Sequence, residues 1–385
     1  MAALSTQHSV LSTCHSSSNR LSEADALSLY FDCSIHELGR RAFAVTQRLH
    51  PEDYRTYVVD RNINYANWCT AKCIFCNFKA DPPGMNSSRP ELPGGYVLTF
   101  DQIGQKIQEL VEIGGTQVLM QGGLVPPELL PFEWYLDLLR FIKREYPHVH
   151  VHAFSPPEIW AFHQVFDMPL RDVLLRLREA GLDTIPGGGA EILVDRVRDK
   201  ISRGKTRTAE YLEVMRQAHL IGMRTSITMM FGHIETIPER IEHLRLIRDL
   251  QDETGGFTAF ICWTFQTENT PLGRMKAMPA DSPGPPDGQH LKLASAHEYL
   301  KTLAIARLFL DNIPNVQSSW VTQGPKIGQL ALFYGANDMG SVMMEENVVS
   351  AAGTTYRLSE LEIRRLITDA GWKPQKRNCY YQPVD

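Results

Sequence analysis

The chain has 385 residues, 43% hydrophobic and 22% charged, with a formal net charge of −5. That balance is typical of a globular protein. It argues against nucleic acid as a main partner, which would favour a basic face. No apolar run approaches the ~20 residues of a membrane span, and seven mostly scattered cysteines do not read as a disulfide framework.

In chain order, residues 1–20 are rich in Ser and His, lack the apolar stretch of a secretory signal, and read as a disordered tail. Residues 21–55 should hold two helices, opened by Ser22 with Asp25 and by Ser34 with Glu37. Leu38, Ala42, Val45 and Leu49 recur at helical spacing on the second, and Pro51 ends it. Thr56–Tyr65 reads as a strand on which Asn62 and Asn64, alternating with Ile63, face the same way. Directly after it come Cys69, Cys73 and Cys76, spaced C-x3-C-x2-C. From there strands and helices alternate. Helices are expected over about 99–113, 132–144, 171–180, 209–221, 238–251 and 290–310. Strands are expected over about 116–120, 148–154, 182–185, 224–230, 257–265 and 316–321. Residues 326–333 fit either state. A segment at 279–289, rich in Pro and Gly, reads as a surface loop, and Ser359 with Glu362 caps a last helix.

Seven or eight strands each followed by a helix mean a parallel sheet covered by helices, and the count suits an α/β (β/α)8 TIM-type barrel. The expected division is a barrel over 56–340, the N-terminal helices before it, and a helical C-terminal extension, 341–385, packed on the barrel. Active sites of such barrels lie at the C-terminal strand ends. Here those ends carry Cys69, Gln121–Gly123, Ser155, Gly187–Gly189, Gly232–Glu235, Gln266–Asn269 and Thr322–Gln323.

The three cysteines are one short of a closed site. Both a structural zinc and a fully ligated iron–sulfur cluster want four protein ligands. The remaining cysteines (Cys14, Cys33, Cys262 and Cys379) are isolated in sequence. A 4Fe–4S cluster on three thiolates leaves one iron open for a small molecule. The alternative is a zinc knuckle.

The cysteine spacing resembles that of the radical S-adenosylmethionine (SAM) enzymes, and Phe75 is the aromatic this family prefers before the last cysteine. Residues 60–65, 185–193, 229–236 and 250–257 resemble the radical SAM enzymes of the futalosine pathway to menaquinone. Residues 263–266, 319–329, 335–341 and 345–347 resemble its cyclase members more than the sister aminofutalosine synthases. The resemblance runs from about residue 20 to the C-terminus. Cys262 and Thr267 stand where proline would be expected. It implies a 4Fe–4S cluster on Cys69, Cys73 and Cys76, with SAM on the open iron. Phe75, Gln121, Gly122, Gly123, Glu191, Lys205 and Arg207 would then contact the cofactors. Electron transfer from the cluster would cleave SAM to methionine and a 5′-deoxyadenosyl radical. That radical would take hydrogen from C4′ of dehypoxanthine futalosine, and the ribose would close onto the benzoate ring. Loss of an electron and a proton completes the reaction, which implies a general base. His233, Glu235, Asp338 and Glu346 are the choices, His233 having an ordinary pKa of ~6.5 suited to the task. Substrate contacts are expected from Asn62, Asn64, Trp263, Gln266, Asn269, Ser319, Thr322 and Gln323. A flavodoxin or ferredoxin would supply electrons, and an oxygen-sensitive cluster implies the cytoplasm. Two other readings remain open at this point: the sister aminofutalosine synthase, and a non-catalytic iron–sulfur electron carrier.

Overall fold

A computed structural model describes residues 20–85, 94–278 and 288–384. The expected N-terminal tail, up to residue 19, and most of the Pro-rich loop lie outside the described residues. The first two helices, Glu23–Asp32 and Ile35–Leu49, start where the serine caps place them. The hydroxyls of Ser22 and Ser34 accept the backbone N–H groups of Asp25 and Glu37. The second helix packs along Ala296–Phe309.

The strands are β1 (Tyr54–Val58), β2 (Asp60–Ile63), β3 (Lys72–Cys73), β4 (Gln117–Met120), β5 (His150–Ala153), β6 (Thr184–Ile185), β7 (Ser202–Arg203), β8 (Arg224–Phe231), β9 (Phe257–Thr264), β10 (Asn315–Gln317), β11 (Asp338–Ser341) and β12 (Lys373–Lys376). β3 and β7 pair antiparallel. The others form one parallel sheet in the order β12-β1-β11-β10-β9-β8-β6-β5-β4-β2. The expected strand 56–65 is therefore two strands separated by Val59. β1 pairs with β11 and β12, and β2 pairs with β4 at the opposite end of the order. One run of chain thus joins both ends of the sheet and closes it into a barrel. The closure has polar stitching inside: Asp60 accepts from the Ser341 hydroxyl and from Gln117 Nε2 (3.2 Å).

The period-2 alternation of strands sorts the side chains. Asp60, Asn62, Gln117, Leu119, His152, Ser226 and Thr228 line the interior cavity. Their neighbours Ile63, Val118, Met120, Val151, Ala153, Ile227 and Met229 are fully buried in the apolar core. On β9 the lining residues are Thr258, Ile261 and Trp263. The change of parity there matches a register shift against β8, between Thr225 and Ser226.

Several elements differ from expectation. Ser155-Pro156-Pro157 opens a helix, Pro156–Val165, instead of merely ending a strand, because proline is tolerated in a first helical turn. The ambiguous 326–333 stretch is a helix, Pro325–Ala331. The C-terminal segment enters the barrel architecture: β12 lies along β1, and beyond it Arg377, Cys379 and Tyr381 line the cavity. Arg377 donates to both carboxylate oxygens of Asp338, at 2.6 and 3.0 Å.

Buried imidazoles give the fold an acid limit. Burial pushes His152 down to about 3, with His150 and Arg377 adding to the shift, and it pushes His243 down to about 3, with Arg198 adding. The unfolded chain binds a proton at each below about pH 6.5, while the folded chain resists until near pH 3. Above about pH 6.5 these two residues therefore cost little stability, and stability falls as pH drops from about 6.5 toward 3. Lowering pH from 7.5 to 5.5 should remove about 1.4 kcal/mol per histidine, read as a lower urea midpoint. An unchanged midpoint in His152→Gln and wild type alike would contradict this linkage.

Candidate active site

The cysteine loop sits at the C-terminal end of β2 and is held from three sides. The β3–β7 ladder fixes Cys73 opposite Ser202. Cys69 N–H donates to Ala80 O at 3.0 Å and Ile74 N–H to Ile201 O at 2.9 Å. From the end of β4, Leu124 N–H donates to Cys69 Sγ at 3.3 Å. Gly123 allows this approach: a Cβ there would stand 2.1 Å from Trp68 O. At Gly188 a Cβ would meet only the far end of the Gln121 side chain, Nε2 at 2.1 Å.

Cys69, Cys73 and Cys76 all line one cavity of about 390 Å³. Phe75, Gln121, Gly122, Gly123, Glu191 and Lys205 line it too. Glu191 sits in the left-handed region, φ 45°, directly after Gly187–Ala190. There its Oε1 meets Lys205 Nζ at 2.9 Å, and that ammonium lies 5.3 Å from the centre of the Phe75 ring. Burial opposes the charge on Lys205, but Glu191 and the Cys73 sulfur outweigh it and raise the pKa. Burial also pushes the Cys73 thiol up to about 12, against the pull of Lys205, and raises Cys69.

This donor set fits an iron–sulfur cluster. Cys69 and Cys73, whose thiols burial holds towards neutrality, need strong local positive charge to become thiolates. Metal ions supply it, since a coordinating thiol is deprotonated outright. Among the described residues no three His, Cys, Asp or Glu side chains are grouped tightly enough to hold a single ion.

Arg207 is set apart from the expected cofactor residues. It is exposed and pairs with Asp195 at 3.1 Å on the outer surface. Of the expected substrate residues, Asn62, Asn64, Trp263, Ser319 and Thr322 line the cavity. Gln266, Asn269 and Gln323 do not. Gln323 Nε2 donates to Thr264 Oγ1 at 2.6 Å, Gln266 Nε2 donates to Thr264 O at 2.9 Å, and Asn269 is exposed.

The expected bases are mostly committed elsewhere. His233 is fully buried, with Nε2 3.1 Å from Met230 O and Nδ1 3.0 Å from Glu235. Glu235 accepts from the N–H groups of Gly232 and His233 and pairs with Arg240 at 2.7 Å. Burial alone would raise its pKa, yet His233, Arg240 and these hydrogen bonds hold it well below the usual range. Neither residue lines the cavity, so a base role does not fit their placement. Asp338, held by Arg377 and by the Thr56 hydroxyl at 2.6 Å, also lies behind the wall. Glu346 does line the cavity, and its carboxylate accepts the N–H groups of Val348, Val349 and Ser350.

Glu158 was not foreseen. It is 2% exposed and lines the cavity. It accepts from Gly122 N–H at 2.9 Å, Tyr65 Oη at 2.6 Å and the Ser155 hydroxyl at 2.5 Å. It therefore locks the glycine turn after β4 to the next strand end. The signal was Ser155 with a glutamate three residues on, a capping box masked by two prolines.

Residues 63–247 match the radical SAM superfamily, and residues 254–385 match the CofH/MqnC C-terminal region. The chain is 44% identical to a cyclic dehypoxanthine futalosine synthase of Halalkalibacterium halodurans, over 95% of this chain and 92% of the relative. It is 41% identical to the Streptomyces coelicolor protein of the same name, over 94% and 85%. A 5-amino-6-(D-ribitylamino)uracil–L-tyrosine 4-hydroxyphenyl transferase of Methanosarcina acetivorans is 38% identical over 86% of this chain and 83% of its own. Among solved structures, methylornithine synthase (PylB) superposes with a TM-score of 0.65 at 19% identity, covering 92% of this chain and 94% of that one. This likeness is one of fold.

Cys69→Ala, Cys73→Ala and Cys76→Ala should each abolish cluster loading, measured as iron and sulfide content after anaerobic reconstitution. Cys262→Ala should load normally, because Cys262 is fully buried in the core and does not line the cavity. Zinc without sulfide in the wild type would contradict the cluster.

Proposed function

The chain belongs to the radical SAM superfamily, in the family of the cyclic dehypoxanthine futalosine synthases, and from that premise we propose that it closes dehypoxanthine futalosine into its cyclic form in menaquinone biosynthesis. The observation that supports this most is the convergence of three thiols on a cavity that polar residues such as Asn62, Asn64 and Gln117 also line. The 44% identity over 95% of the chain adds the reaction. The 4Fe–4S cluster and SAM, when bound, supply the radical that abstracts hydrogen from substrate.

The chain's own residues do the rest. Cys69, Cys73 and Cys76 hold the cluster. The exposed backbone of Gln121–Gly123 receives the methionine ammonium, and Glu158 keeps that turn in place. Glu191 and Lys205 offer a carboxylate and an ammonium to the ribose and carboxylate of SAM, with Phe75 shielding them. Asn62, Asn64, Ser319 and Thr322 hydrogen-bond the polar part of the substrate, and Trp263 covers an apolar part. The cavity lies inside the barrel, which keeps water from the reacting atoms. A flavodoxin or ferredoxin donates the electron, and the protein works in the cytoplasm, where a reducing environment preserves the cluster. Among the described residues no helix is long and apolar enough to cross a membrane.

The test is anaerobic turnover of the reconstituted protein with dithionite, SAM and dehypoxanthine futalosine. Free 5′-deoxyadenosine and the cyclised product should appear in equal amounts. An adenosyl group retained in the product would mean the sister aminofutalosine chemistry. SAM cleavage only with tyrosine and the ribitylaminouracil would mean the transferase chemistry of the archaeal relatives. Either outcome overturns the proposal.

A further inference from the structure

One part of the cavity wall carries acceptor atoms that no described residue uses. Asn62 Oδ1 on β2 and Gln117 Oε1 on β4 are buried and have no hydrogen-bond partner among the described residues. Both side chains line the cavity, and the residues are only 6% and 4% exposed. They sit on paired strands, where Gln117 is directly opposite Asp60 and Asn62 is two residues further along. A buried acceptor left without a donor is costly, and such atoms are rare unless a ligand or water completes them.

The direction of Gln117 is set by its neighbours. Its Nε2 donates to Asp60 Oδ2 at 3.2 Å, and a reversed amide would point its oxygen at that carboxylate. The Ser341 hydroxyl is directed too. Its oxygen accepts Met343 N–H at 2.7 Å, so its proton goes to Asp60. Ser341 and Gln117 therefore donate to Asp60, and Gln117 Oε1 remains the free end. Asp60 keeps unused lone pairs, since a carboxylate can accept about four hydrogen bonds. Asp60, Asn62 and Gln117 make a row of acceptors on two adjacent strands. A ligand with adjacent hydroxyl groups supplies the missing donors.

We infer that this row is the subsite for the vicinal hydroxyls of the substrate's ribose, with Asn62 and Gln117 as specificity-determining acceptors and Asp60 and Ser341 as positioning residues. The inference rests on the functional reading above and adds which wall holds the sugar. It makes the enzyme selective for a hydroxylated ring, because a site built to bond a hydroxyl rejects an analogue that lacks it.

The experiment compares dehypoxanthine futalosine with its 2′-deoxy and 3′-deoxy analogues, using reconstituted full-length protein and SAM. Wild type should lose about tenfold or more in kcat/KM on at least one deoxy analogue. Asn62→Leu and Gln117→Leu should be slower on the parent compound but should largely lose this discrimination, because the partner of the missing hydroxyl is already gone. A general structural defect would slow all three compounds alike and preserve the ratio. Cluster content and SAM binding are measured on each variant. Should a leucine variant fail to load the cluster, Asn62→Ala or Gln117→Met replaces it, and the wild-type comparison needs no variant at all. Equal use of parent and deoxy analogues by the wild type overturns the subsite while leaving the functional reading standing. Full discrimination retained in both variants also overturns it. No turnover of the parent compound overturns the functional reading, and the subsite falls with it.

Discussion

Both walls of the cavity depend on a single run of chain, Tyr54–Ile63, pairing with the two ends of the sheet at once. β1 takes β11 and β12, β2 takes β4, and the break at Val59 lets one run serve both. Closure brings Asp60 to Ser341, 281 positions apart in sequence, and puts the cysteine loop that follows β2 at the barrel mouth. The same closure draws the C-terminal residues Arg377 and Tyr381 to the cavity. Without it the thiols, the glycine turns and the polar wall would belong to separate strand ends.

Several buried carboxylates of this barrel meet a cation. Glu191 meets Lys205, Glu235 meets Arg240, and Asp338 meets Arg377. At Glu235 the neighbouring His233 and Arg240 outweigh burial and hold the carboxylate well below its usual range. That separates structural acids from acids that can deal with a ligand. Glu235 and Asp338 hold strand ends and the C-terminal segment in place. The Glu191–Lys205 pair differs because it faces the thiols. Asp60 differs again, since its hydrogen bonds come from the neutral groups of Ser341 and Gln117, and burial is the largest influence raising its pKa.

Much of this was legible in order along the chain. Serine caps, helix-ending glycines and alternating strands carry their signals within a few residues, so the helices at Ser22 and Ser34 and the facing of Asn62 with Asn64 followed from local patterns. The helix at Pro156 was hidden because proline also marks chain breaks, and with it went Glu158. β11 and β12 were missed because short strands of Asp, Gly, Ser, Lys and Gln have weak intrinsic preference. They exist because the barrel offers them a neighbour.

The sequence by itself offered a candidate ligand set and pointed to a class of chemistry. Three cysteines lie within eight residues on one loop, one short of the four ligands of a closed site. It also determined that the strand ends bearing polar residues would meet, since alternating strands and helices must close in a parallel sheet. Only the tertiary structure decided which polar residues reach the cavity. His233, Glu235, Asp338 and Arg207 look functional in a string of letters, but each is absent from the cavity wall, tied to partners that folding brings beside it. Gln117 looked ordinary and proved to hold an unused acceptor inside the barrel. The physical reason is that burial and pairing arise from contacts between distant segments, whereas metal-ligand spacing is local.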